Sequence, residues 1–79
     1  MKILVLFFGA AAAAAGKRRI KVETADQTRA GLIFDQLIAE YPSLAAHRLL
    51  FSVNQQYANR DEMVRDGDEI AVFTAVSGG

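Results

Sequence analysis

Residues 2–8 read KILVLFF: six apolar side chains follow Lys2 without a polar break, and Ile3, Val5, Phe7 and Phe8 are β-branched or aromatic. A strand that is apolar at both odd and even positions is one whose two faces are both covered, so residues 2–8 are predicted as a central strand. The remainder of a 79-residue chain must supply that cover. This length allows one hydrophobic core and no second, so residues 1–79 are read as a single α+β domain of modest stability.

The same residues admit a competing reading. Lys2, the apolar run 3–15 and the Ala-x-Ala triplets of MKILVLFFGAAAAAAG resemble a secretory signal. The run is short of the ~20 apolar residues a membrane span needs. Cleavage after the alanines would also leave only about 64 residues and remove the predicted central strand. Residues 2–8 are therefore expected to belong to the fold. Residues 10–15 are six alanines stopped by Gly16, followed by Lys17, Arg18 and Arg19. Helix propensity without any pattern predicts a short helical turn facing solvent there.

Working outward, residues 19–24 (RIKVET) alternate, with Ile20 and Val22 on one side, as a half-buried strand pairing with the first would. Asp26 or Thr28 is expected to cap a helix whose apolar residues Ala30, Ile33, Phe34, Leu37, Ile38 and Tyr41 recur at helical spacing. Pro42 ends it. Residues 49–53 (LLFSV) form a further strand, and NQQYANRDEMV is a polar connector with a short pairing at 56–58. Asp66-Gly67-Asp68 marks a turn before the last strand, residues 69–74. One amphipathic helix crossing one sheet is an α+β roll.

Nine Lys and Arg balance nine Asp and Glu, which gives no electrostatic footprint for nucleic acid or an anionic membrane; neither is expected as a partner. There is no cysteine, hence no thiol nucleophile, disulfide or zinc knuckle. His47 is the single histidine and is expected to be solvated; Asp66 and Asp68 read as a turn, and no metal site is expected. A chain with so few chemical groups is not expected to be an enzyme on its own.

Strand parity says more. If the helix covers Ile3, Val5 and Phe7, then Leu4, Leu6 and Phe8 point the other way, together with Ala71 and Phe73 of the last strand. That second apolar face is either covered by the connector or docked by a partner, and docking is the favoured reading. The chain ends Val76-Ser77-Gly78-Gly79 directly behind the final strand, and residues 74–79 are read as a flexible tail. Glycine lacks a Cβ, so a diglycine end can thread a channel too narrow for side chains. Its α-carboxylate, with an ordinary pKa of about 3.3 to 3.7, is ionised and unreactive until something activates it.

VLFF near the start, EYPSL after the helix, FSVNQQYA, DGDEIAVF and the terminal VSGG resemble the MoaD/ThiS-type β-grasp sulfur carriers, and within them the small subunit of molybdopterin synthase. The resemblance runs from end to end. It implies a ubiquitin-like β-grasp roll with a mixed sheet of about four to five strands and one main helix on one face. It further implies that a ubiquitin-activating-like adenylyltransferase adenylates the Gly79 carboxylate, and that sulfur transfer then makes a C-terminal 1-thioglycine. The tail, with Val76, Ser77 and Gly78, enters the larger catalytic subunit of a heterotetrameric cytoplasmic synthase, and Phe8, Phe73 and Leu6 contact that partner. No cofactor is bound; the glycyl adenylate and the thiocarboxylate are modified forms of the tail. Thr74-Ala75 stands where many such carriers have two prolines, which implies a less stiff stem here. Other sulfur acceptors (thiazole, cysteine or a tRNA base), a ubiquitin-like modifier, and a β-grasp interaction module with an inert tail are the alternatives.

Overall fold

The computed structural model describes residues 1–25 and 27–74. Along the chain these form β1 (Lys2–Phe7), α1 (Ala10–Ala15), β2 (Arg19–Glu23), β3 (Thr28–Arg29), α2 (Ala30–Glu40), a 3-10 helix (Pro42–Ala46), β4 (Leu49–Val53), β5 (Gln56–Tyr57), β6 (Met63–Val64) and β7 (Glu69–Thr74). The larger sheet has the order β2-β1-β7-β4-β5, and β3 pairs with β6 in a separate two-stranded ribbon. β1 is central, as its two-sided apolar sequence predicts. It is antiparallel to β2, with Ile3 opposite Val22 and Val5 opposite Ile20, and parallel to β7, with Val5 beside Ile70 and Phe7 beside Val72. Parallel neighbours need a long crossover, which α2 and the strands around it supply. The result is the mixed-sheet β-grasp roll that the resemblance implies.

The core lies between the sheet and α2. Ile3, Val5, Phe7, Val22, Ile70 and Val72 from the sheet are buried against Ala30, Ile33 and Leu37 of the helix, and Leu44 closes one end. The Phe7 ring meets Tyr41 edge-on at 5.9 Å, and Phe34 packs on Phe51 at 5.2 Å, so every apolar position of the predicted helical stripe is used.

Several expectations are corrected. The alanine run does not simply face solvent: Ala11 is fully buried and Ala15 nearly so, where α1 packs on β7 and the 3-10 helix. Positions four apart share a helix face, so Ala11 and Ala15 turn inward together. Gly16, at φ 71°, caps it by donating its amide to the Ala12 carbonyl.

Thr28 does not cap α2. It pairs with Val64 in the ribbon, and Arg29 stands at the cap position without a side-chain cap bond. The first-turn amides are satisfied by main chain instead: Ala30 N–H donates to the Glu62 carbonyl at 2.8 Å and Gly31 N–H to the Arg60 carbonyl at 3.0 Å. The other cap candidate, Asp26, lies outside the described residues. The polar connector also holds an unforeseen strand, Met63–Val64, whose Val64 is fully buried. Strands β1 and β2 stop one residue short of the predicted ends, and the connector pairing spans Gln56–Tyr57.

The predicted Asp66-Gly67-Asp68 turn is present, with Gly67 at φ 84°. Asp66 Oδ1 accepts from the Lys2 amide at 2.7 Å, and the Asp68 carboxylate accepts from the Arg65 amide and the Asn54 side chain. These bonds tie the start of β7 to β1 and β4.

Candidate functional site

The face of the sheet opposite α2 is built by register. Leu6 lies beside Ala71, Leu50 opposite Phe73, and Ser52 opposite both Ala71 and Tyr57, so Leu4, Leu6, Phe73, Leu50 and Tyr57 all project to one side. Phe8 extends this row beyond the end of β1, because its amide donates to the Val72 carbonyl at 3.0 Å and holds it alongside β7. Phe8 is 49% exposed, Leu50 39% and Tyr57 78%, while Leu4, Leu6 and Phe73 are half-buried. The Tyr57 ring stands edge-on to Phe73 at 5.8 Å. The connector therefore covers this face only in part, through β5.

Leu6 and Phe8 also line a shallow groove of about 520 Å³ whose far wall is Ala12, Arg18 and Arg19. Gly9, at φ 55°, turns the chain from β1 into α1 at its end, and Phe8 beside it stays half-exposed. Of the residues predicted to meet a partner, Leu6, Phe8 and Phe73 are thus brought together. Leu50 and Tyr57 complete the patch and were not foreseen; extending the alternation of β1 and β7 to LLFSV would have found Leu50.

Val76, Ser77, Gly78 and Gly79 lie outside the described residues. Their point of attachment is defined: β7 ends at Thr74, which pairs with Leu49. Because β7 runs parallel to β1, the tail begins at the same end of the sheet as Phe8 and Phe73. His47 is exposed. Among the described residues no group of three or more His, Asp or Glu is placed to hold a metal ion, and no helix is long and apolar enough to cross a membrane.

An apolar sheet face beside the root of a diglycine tail, on this strand order, defines a ubiquitin-like β-grasp carrier domain. Comparison with known proteins agrees. The model of the ThiS family matches residues 5–79. The molybdopterin synthase sulfur carrier subunit of Mycobacterium tuberculosis is 39% identical over 82 residues, covering 100% of this chain and 99% of that one. The crystal structure of SAMP1 from Haloferax volcanii superposes with a TM-score of 0.87 at 26% identity, covering 100% of both chains. A complex of subunits 1 and 2 of the molybdopterin-converting factor from Helicobacter pylori shares the fold, with a TM-score of 0.71 at 21% identity over 100% of both chains. The chain belongs to the ThiS family, and its role is that of a sulfur carrier.

Proposed function

We propose that the chain is the sulfur-carrying small subunit of a molybdopterin synthase. The observation that carries this reading is the position of the tail root at the end of the sheet where Leu6, Phe8 and Phe73 present an apolar face. The folded body serves as a handle: it docks by that face, and the tail reaches from it into the partner's active site. Docking converts delivery of the terminal group into a step within one complex, which raises its effective concentration. The name of the Mycobacterium relative and the two-subunit Helicobacter complex support a larger catalytic partner.

A Gly79 carboxylate oxygen attacks the α-phosphate of ATP on a ubiquitin-activating-like adenylyltransferase, and pyrophosphate leaves. A sulfide equivalent then adds to the carbonyl of the glycyl adenylate and AMP departs with the transferred oxygen, leaving a thiocarboxylate. In the synthase the pterin precursor takes the sulfur, and water cleaves the acyl–sulfur bond to restore the carboxylate. The catalytic side chains belong to the partners, the carrier binds no cofactor, and the cycle takes place in the cytoplasm.

The test is an intact mass after incubation with ATP, an active adenylyltransferase and a sulfur donor. Exchange of one oxygen for sulfur at the C-terminus, followed by loss of that sulfur when synthase and pterin precursor are added, is the expected result. An unchanged mass with an adenylyltransferase proven active on another carrier would sink the proposal.

A further inference from the structure

The open edge of β2 has a chemistry of its own. Phe7 N–H donates to the Arg18 carbonyl and Thr24 N–H to the Met1 carbonyl, which fixes the antiparallel phase of the β1–β2 pair. Ile20 and Val22 then exchange hydrogen bonds with β1, while the main-chain groups of Arg19, Lys21 and Glu23 point outward from the sheet. At the opposite edge β5 is two residues long and covers only part of β4, so among the described residues β2 is the longest open edge of the larger sheet.

Its side chains divide by face. Arg19 and Lys21 lie across from Leu6 and Leu4, on the face away from α2, and with Lys17 and Arg18 they are exposed. Four of the nine cations of a chain with zero net charge thus sit within five residues of this edge. On the helix side a groove of about 440 Å³ between β2 and α2 is lined by Ile20, Val22 and Tyr41 and by the polar Lys17, Lys21, Glu23, Gln36 and Glu40. Its two lysines and two glutamates balance, so the groove carries no net charge, unlike the basic row on the other face of β2.

We infer that β2 accepts a sixth strand from a partner protein, an extended segment alternating acidic and apolar residues. Its acidic side chains lie beside Arg19 and Lys21, and its alternate apolar side chains turn to the mixed groove, where Ile20 and Tyr41 offer contact. Main-chain bonds to Arg19, Lys21 and Glu23 supply affinity, and the two faces supply the pattern. Antiparallel pairing of two β2 edges about Lys21 would set Lys21 against Lys21 and Arg19 against Glu23, so a second copy is the alternative occupant, and a β2-paired dimer of the chain alone in sedimentation would overturn the inference.

The full chain, labelled with nitrogen-15, is titrated with an end-blocked nonapeptide alternating Asp and Val. The expected result is slowed amide exchange confined to Arg19, Lys21 and Glu23, and binding about tenfold weaker when Asp is replaced by Lys or when the protein carries Lys17→Glu and Lys21→Glu. Unprotected amides at millimolar peptide, or equal binding of the Lys peptide, would overturn the inference and leave the cations as guards against edge-to-edge aggregation. The experiment uses neither ATP nor the tail, so its outcome is independent of the sulfur-transfer assay.

Discussion

Asn54 and Gln55 both have positive φ, 50° and 69°, in the two-residue turn between β4 and β5. A turn of this hand suits the twist of a hairpin but favours Asn then Gly, and Gln at the second place carries the left-handed steric cost. Gln55→Gly is expected to raise stability by about 1 kcal/mol, read from the midpoint of thermal or urea unfolding. Gly31 presents the opposite case. A Cβ built there lies 2.8 Å from Arg60 Cβ, so Gly31→Ala must push Arg60 aside. Arg60 donates to Asp35 at 2.7 Å, and that hydrogen bond, reinforced by the guanidinium charge, holds the Asp35 carboxyl below its ordinary value. A lowered carboxylate pKa favours the folded state above the unfolded pKa, and the contribution is lost as pH falls through the folded value. Both groups are exposed, so the effect on stability is small, but the titration itself is a sharp reporter. In Gly31→Ala the Asp35 titration followed by NMR is expected to move upward, toward the ordinary carboxylate range.

At the level of elements, periodic segments were legible and uniform ones were not. The two-sided run of β1, the alternation of β2 and the stripe of α2 each carry a period that names the buried face. Six identical alanines carry none, so burial of Ala11 and Ala15 follows only from where β7 and the 3-10 helix lie. A paired substitution checks that placement. Ala11→Asp is expected to cost about 3 kcal/mol or more, since it buries a carboxylate with no partner, whereas exposed Ala13→Asp stays within roughly 1 kcal/mol. The missed backbone cap of α2 has a similar cause: Glu62 and Arg60 are some thirty residues from the amides they satisfy, too far for any local motif to show. Within the stripe, Leu37→Ala is expected to lose about 2–5 kcal/mol, because the cavity opens between helix and sheet in the centre of the core.

For the whole molecule, the division between handle and tail gives separable outcomes. Phe8→Asp changes a half-exposed side chain outside the core and is expected to shift stability by no more than about 1 kcal/mol. Sulfur transfer through the synthase should nevertheless fall about tenfold or more, as a charge is forced into an apolar interface. Comparing the melting temperature with the single-turnover transfer rate separates the two effects. The exposed apolar face was readable from strand parity alone, apart from Leu50 and Tyr57, because β1 and β7 state their alternation in sequence. The proposed reacting end was readable in a different way: Gly78 and Gly79 announce themselves by composition, with no packing needed to see them.

The parallel pairing of β1 with β7 has a bearing on how the protein is made. Val5 leaves the ribosome about 65 residues ahead of Ile70, its neighbour in the sheet. Until then the most apolar strand of the nascent chain lacks one of its two flanking strands, and chaperone binding is favoured over closure. A chain cut short before β7 lacks Ile70 and Val72 of the core and is expected not to fold, so it should not compete for the carrier's partners.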